Sequence, residues 1–293
     1  MIRSALLFPG VAHRHLDILK SFVYRDLQAR YQGSILGRLW PLLHPLLLLG
    51  IYHLVFAEIL GIRFAEESHL GGEGWKTTFF LLSGILPWVA FVETVARATN
   101  VVVENSNLIK KVAFPSELLP TYLVLVHLVQ FLIGLVLLAV VYLIVAGTSP
   151  HVFEADGITK PMLRLLYLPI PMILQIVFTA GLAMLLATLN VFVRDLVQLM
   201  PLLLQVWMFL SPIFYSEQIL ENAKTLAGDW ILPMLRFNPL YHLLAMYRAL
   251  FFDPVSTPFP WRSMLVFAAI AAVTFVLGHG FFVRAKGRFA DEV

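Results

Sequence analysis

Six apolar stretches, each near the length that carries an α-helix across a bilayer, divide this chain: Leu39–Leu60, Thr78–Val95, Leu118–Ala146, Leu165–Leu189, Leu196–Tyr215 and Ser263–Val283. About 20 mostly apolar residues are needed for one crossing. Runs this long and unbroken do not suit barrel strands, and open sheet in lipid leaves backbone groups without partners. The expected fold class is therefore an all-α membrane protein with six transmembrane helices. The charge content agrees. Only 13% of the 293 residues are charged, 59% are hydrophobic and the mean hydropathy is +0.82, whereas a soluble domain carries roughly a quarter charged residues.

Orientation follows from lysine and arginine. The first long apolar run begins only at Leu39, behind Arg3, Arg14, Lys20, Arg25, Arg30 and Arg38, so no cleavable signal peptide is expected. With the N-terminus inside, 13 of the basic residues fall in inner segments and 8 in outer ones, as the positive-inside rule requires. Both termini are then cytoplasmic. The net charge of +3 is a small excess. It suits basic loops on an anionic leaflet better than a nucleic-acid footprint, and no nucleic-acid partner is expected. There is no cysteine, which removes disulfide and thiolate chemistry.

Two segments do not fit the plain alternation of span and loop, and the chain otherwise reads as one transmembrane domain over 1–293. Residues 12–32 predict an amphipathic helix lying at the interface. Leu16, Leu19, Val23 and Leu27 recur at helical spacing, with Arg14, Asp17, Ser21, Arg25 and Gln28 on another face. Gly33-Ser34 and Gly37 then let the chain turn into the bilayer. The second is 216–261, between spans five and six, which is too apolar for an ordinary loop. Asn238-Pro239 has the chemistry of a helix start, and Asp253-Pro254 ends the run Leu240–Phe252. Two short helices are predicted, near Glu217–Leu226 and over Leu240–Phe252. They form either a re-entrant hairpin or an outer-surface amphipathic pair; the re-entrant form needs protein or a water-filled cavity beside it.

Motifs for catalysis are absent. There is no phosphate-binding G-x-x-x-x-G-K-[ST], no G-x-S-x-G and no H-E-x-x-H. No histidine or carboxylate cluster has metal-ligand spacing, so no catalytic residue and no metal are expected. Ionisable residues inside spans are functional suspects, and here they are His44, His53, Glu58, Glu93, Arg97 and His127. Glu93 and Arg97 stand one helical turn apart in the favourable order; a self-satisfied pair and a gating role are both open. Nothing resembles a proton relay or repeated halves, which counts against an ion-coupled transporter.

Several stretches, in order along the chain, resemble one family. They are Arg25–Trp40, Leu82-Ser83-Gly84-Ile85-Leu86-Pro87-Trp88, Glu104–Pro115, Leu189–Asp195, Leu210–Tyr215 and Asn238-Pro239-Leu240. The family is the membrane subunits of polysaccharide-exporting ABC transporters, which serve O-antigen (lipopolysaccharide), teichoic acid and capsule export. The O-antigen and teichoic-acid branch is the more similar; the loop Arg63–Lys76 is longer than in compact members.

The resemblance implies a homodimer in the bacterial inner membrane with two copies of a separate P-loop ATPase. ATP and Mg would be used there, and this chain would bind no cofactor. The substrate would be a polysaccharide on an isoprenoid pyrophosphate. The inner loop 98–117 would hold the coupling helix, with Glu104, Asn105, Asn107, Leu108, Ile109, Lys110, Lys111, Phe114 and Pro115 at the ATPase. Leu108, Ile109 and Phe114 are expected to bury against that partner, and Arg194 and Asp195 form a second contact. Arg25, Arg30 and Arg38 would meet the anionic head group, although attraction to anionic lipid explains any one of them equally. Trp88, Phe91, Trp207, Phe214 and Tyr215 are expected on the translocation path, and Asn238, Tyr241 and Tyr247 at an outer gate. The competing readings are an exporter of small drugs or lipids on the same fold, and a membrane-embedded glycan-processing enzyme.

Overall fold

The computed structural model describes residues 10, 13–62, 73–111, 114–148, 159–216, 228–252 and 258–293, and every regular element among them is helical. The helices are α1 (Leu16–Tyr31), α2 (Trp40–Tyr52, continued by a π-helical stretch His53–Ile59), α3 (Glu73–Glu104) and α4 (Ser106–Lys111). They continue as α5 (Leu118–Thr148), α6 (Thr159–Leu165), α7 (Pro169–Phe192) and α8 (Leu196–Leu210). The last are α9 (Gly228–Phe237), α10 (Pro239–Phe251), α11 (Trp261–Ala285) and α12 (Phe289–Glu292).

Five stretches are long and apolar enough to cross a membrane: Trp40–Ile59, Gly74–Glu104, Leu118–Thr148, Met162–Phe192 and Trp261–Glu292. The stretch expected as Leu196–Tyr215 is helical only as α8. Its 15 residues make about 22 Å of helix against a hydrocarbon core of about 30 Å. The reason is local. Ser211 is extended, at φ −102° and ψ 140°, as a residue before proline prefers, and Pro212 has no N–H to continue the ladder. In contrast, α3 outruns the expected Thr78–Val95. Ala98, Val101 and Val102 keep the helical spacing of buried positions through its last turns.

The packing forms two apolar clusters. One lies at the end of the bundle that we call proximal. Leu19 of α1, Phe282 of α11, Phe289 of α12 and Val293 meet there with Val101, Leu119 and Met184. The larger cluster fills the rest, from Val95 and Phe178 to Phe79, Tyr142 and Phe251. The helices α7 and α11 approach closely, where Gly181 and Gly278 face each other. A methyl group on Gly181 would stand 2.5 Å from the Cα of Phe275, and one on Gly278 would strike the carbonyl of Gly181. Small residues allow such contact between membrane helices, where dispersion rather than water drives association.

The expected 12–32 helix is found as α1, joined to α2 through Gly33, whose φ of +80° suits glycine. Leu19 is its one buried residue, and Leu16 stays 39% exposed. The Asn238-Pro239 start is found as read: Asn238 caps α10 by accepting from the Leu240 N–H at 3.0 Å. The helix expected near Glu217–Leu226 lies outside the described residues. The helix α9 is an element the periodicity did not announce, because Pro233 interrupts its pattern.

Candidate translocation and coupling sites

Where α1 crosses α3 and α5, charged and amide side chains converge. Asp26 takes three N–H donors. Arg97 donates through both Nη atoms, at 3.0 and 2.6 Å, and Arg30 donates through Nε at 3.1 Å. The remaining reach of Arg30 goes to α5: Nη1 donates to Gln130 Oε1 at 3.0 Å and Nη2 to His127 Nε2 at 2.7 Å. Gln130 in turn donates to the Tyr31 hydroxyl at 2.9 Å. An arginine can only donate, so His127 Nε2 is the acceptor, and its Nδ1–H donates to the Leu123 carbonyl at 2.8 Å. Burial pushes the Asp26 carboxyl up, but the Arg97 and Arg30 guanidiniums outweigh it and hold the group below its ordinary 3.8.

This geometry changes one pairing. Arg97 does not pair with Glu93 one turn away; it reaches Asp26 on α1. Glu93 instead faces Arg30 and His127 across 3.8 and 3.5 Å. Of the three expected head-group arginines, Arg30 is the hub of the cluster. Arg25 is exposed, its guanidinium 4.8 Å over the Phe22 ring. The side chain of Arg38 lies outside the described residues.

The inner loop is built as a surface of the proximal end. Asn105 breaks α3 from α4: its carbonyl accepts from the N–H groups of Leu108 and Ile109, and its Nδ2 donates to the Val101 carbonyl at 2.8 Å. Glu104, Asn107 and Lys110 are exposed, with Glu104 accepting from Asn100 at 2.8 Å. Leu108, Ile109 and Phe114 are the apolar side chains of this loop that the structure describes. They are half-buried against the protomer's own proximal cluster, and the Phe114 ring lies 5.7 Å from Phe22. Pro115 is half-buried beside them, and its carbonyl accepts from the Leu118 N–H at the start of α5. The Lys111 side chain lies outside the described residues.

Sequence reasoning missed the chain's C-terminal part here. Lys286 donates to the buried Glu117 at 2.6 Å, α12 packs on α4, and Arg194 donates to the Glu292 carbonyl at 3.0 Å. Asp195 is exposed beside it. The loop after α3, the Arg194-Asp195 turn and the C-terminus thus share one face. Alternating basic and apolar residues at 284–289 were the only sequence signal.

The aromatics separate into two groups. Trp88 (6% exposed), Phe91 and Tyr247 (both 0%) are core residues of the protomer. Phe91 packs against Phe178 and Trp207. Tyr247 donates to Gln175 Oε1 at 2.9 Å, and Gln175 donates to the Pro87 carbonyl at 2.9 Å. The chain of bonds satisfies polar groups at a proline inside α3 and fixes Tyr247, so that side chain presents no surface. Trp207 is half-buried and donates to Asn238 Oδ1 at 3.1 Å. Phe214 stacks on Phe56, and Tyr215 donates to the Phe209 carbonyl at 3.2 Å. Tyr241 is half-buried against His242. The outward face of α8 carries Gln198, Leu202, Gln205 and Phe209, all exposed. Two glutamines two turns apart on an otherwise apolar helix are a signal that a search for aromatics passes over.

Asn238 is a fixed junction. Besides capping α10, it donates from Nδ2 to the Leu210 carbonyl and the Ser211 hydroxyl, at 3.0 and 2.9 Å. Arg248 pins the last turn of the same helix. Its Nη2 donates to the carbonyls of Pro212 and Ile213, and the guanidinium lies 3.7 Å over the Phe80 ring. Arg248→Lys keeps the charge but loses the planar fork and the stacking. The expected loss is about 1–3 kcal/mol, read as a lower thermal midpoint of the purified protein in detergent; an unchanged midpoint would show that the fork holds nothing.

The bundle therefore has the build of a non-catalytic membrane permease: long apolar helices, a polar cluster where the first helix docks, and a proximal loop face. The profile of the ABC-2 type transporter family matches residues 18–252, and the chain belongs to that family. It is a non-catalytic transporter membrane subunit. Among curated relatives, the O-antigen export system permease protein RfbA of Myxococcus xanthus is 29% identical over 286 residues, covering 96% of this chain and 97% of the relative. The protein of the same name from Klebsiella pneumoniae is 28% identical over 275 residues, covering 94% of each.

Proposed function

We propose that this chain is the membrane half of an ATP-driven exporter that moves a lipid-linked polysaccharide, O-antigen or a similar polymer, across the cytoplasmic membrane. The observation that carries this reading is the near full-length similarity to O-antigen export permeases. In this reading the proximal end is cytoplasmic, and both termini lie there. Two copies form a homodimer and each engages one P-loop ATPase. The helix α8 and the Ser211–Ser216 segment make the sixth crossing together, with α9 and α10 dipping into the outer leaflet as a re-entrant pair. The helix α1 lies at the inner interface.

The path for the polymer runs along the outward face of α8. Gln198 and Gln205 supply amides for sugar hydroxyls, and Phe209, Phe214 and Tyr215 supply rings for sugar faces. Polar side chains exposed at membrane depth need water or a partner. Asn238 and Tyr241 sit at the outer end of this path, and α10 moves there as a unit, braced by Asn238 and Arg248. Arg25, Arg30 and Arg38 receive the pyrophosphate at the inner interface. ATP binding by the partner pushes on α4.

The contact with the ATPase uses the side chains that face outward. Asn107 and Lys110 are exposed, whereas Leu108 and Ile109 hold α4 to the bundle. The test is purification of the tagged protein from its host in mild detergent, with mass spectrometry of what accompanies it. An ATPase at about equal stoichiometry is expected, reduced about tenfold or more by Asn107→Ala with Lys110→Glu. A protein that purifies without any ATPase would end the exporter reading.

A further inference from the structure

Beside the Arg30 hub lies a cavity of about 330 Å³ between α1, α2, α3 and α5, a volume within the range of small-ligand sites. We infer that it is a sugar-binding subsite, taking a hexose next to the lipid pyrophosphate before the polymer is moved. This rests on the proposed substrate and adds to it the part of that substrate which is read, and where.

The first ground is an unused carboxylate. Glu93 lies within the α3 span, yet 43% of its side chain is exposed, and it lines the cavity. Among the described residues no donor satisfies it. His127 Nε2 stands 3.5 Å away, but that nitrogen accepts from Arg30 and carries no hydrogen to give. Arg30 Nη1 is 3.8 Å away, an ion pair too long for a hydrogen bond. A carboxylate offers about four acceptor positions, and a charge held at membrane depth is costly unless it has a use. Glu93 therefore presents acceptors to whatever fills the cavity, and what fits must bring donors.

The second ground is charge. Among the described residues, the acid and the guanidinium that line the cavity are Glu93 and Arg30, one charge of each sign. The pair is neutral, so the cavity itself has no net pull on a phosphate, and the pyrophosphate meets Arg30 only from the mouth. Arg30 has five N–H groups; three are spent on Asp26, Gln130 and His127. Two remain for an oxygen at the cavity mouth.

The third ground is the wall opposite. Trp40 lines the cavity, and its indole N–H is tied to the Ser34 hydroxyl at 2.7 Å, which fixes the ring and leaves its face. A ring face suits the C–H side of a pyranose, while a carboxylate and a guanidinium edge suit its hydroxyls. A neutral polyol that donates to Glu93, accepts from Arg30 and lies on Trp40 meets all three requirements. A phosphatidylethanolamine head group could donate to Glu93 through its ammonium, but it brings no ring face for Trp40.

The experiment uses the full-length protein in nanodiscs and two probes: a short isoprenyl pyrophosphate carrying one hexose, and the same isoprenyl pyrophosphate without sugar. Binding is measured by thermophoresis. The sugar-bearing probe is expected to bind about tenfold tighter. Glu93→Gln is expected to remove that preference and leave the affinity for the sugar-free probe unchanged. Trp40→Leu, on the other wall, is expected to weaken only the sugar-bearing probe. Equal binding of the two probes by the unaltered protein, or no binding of either, would overturn the subsite. So would a Glu93→Gln protein that loses both probes equally, because Glu93 would then serve the head group or the fold. Equal binding of the two probes leaves the exporter reading in place, whereas no binding of either counts against its lipid-pyrophosphate substrate as well; ATPase co-purification tests the exporter class separately.

Discussion

Replacing Gly278 by alanine is expected to abolish accumulation of the folded protein. The added methyl has nowhere to go. It would strike the Gly181 carbonyl, which is backbone and cannot swing aside. The two helices must separate, and with them goes the contact that brings Phe178 of α7 against Phe267 of α11, rings 5.4 Å apart. Overpacking commonly costs about 1–3 kcal/mol; a backbone clash belongs at the upper end or above it. The check is the monodisperse fraction of tagged protein on size exclusion in detergent. Gly50→Ala is the control, because no atom lies within 4 Å of a methyl there. In the helix α2 that change removes only glycine's backbone freedom, and it is expected to be neutral or stabilising by about 0.5–1 kcal/mol. If Gly278→Ala and Gly50→Ala gave the same monodisperse fraction, the close crossing of α7 and α11 would not be what holds the bundle.

The elements that sequence made legible are those set by local chemistry. Apolar length announces α2, α3, α5, α7 and α11, since lipid admits little but helix. The start of α10 is legible because asparagine before proline suits a helix terminus. Convergence was not legible. Arg30, Glu93, His127 and Gln130 come from three helices, and no periodicity relates them. The i,i+4 rule offers Arg97 to Glu93, but that rule knows only one helix. Docking of α1 brings Asp26 within reach, and a carboxylate accepting from both Nη atoms wins over a neighbour one turn away. Rotation about a helix axis is equally hidden. Tyr247 and Phe91 read as aromatic residues near an opening, and the turn of α10 and α3 places them in the core. The glutamines of α8 face outward for the same reason.

Asp26→Ala is expected to release α1 from the bundle and to stop export. Asp26 is an acceptor shared by two arginines from different helices, and its own side chain is only 14% exposed. Removing it takes away the ion-pair partner of Arg97 and leaves Arg30 only the longer pair to Glu93. Breaking a buried pair costs several kcal/mol, but Arg97 is 40% exposed and water screens part of that, which leaves about 1–3 kcal/mol. That is enough to free a helix whose one buried apolar residue is Leu19. Limited trypsin digestion reads the release directly, as faster cleavage after Lys20 and Arg25. The pH dependence separates the latch from general instability. The folded Asp26 carboxyl sits below its ordinary 3.8; its contribution is therefore present above that value and lost only as pH falls through the lower folded one. The unaltered protein should resist trypsin after Lys20 and Arg25 equally after exposure to pH 7 and pH 5, and lose that protection only after exposure below pH 3.8. Protection lost already at pH 5 would mean that another group holds α1. Fast cleavage of Asp26→Ala with normal export would mean that α1 need not be docked while the polymer moves.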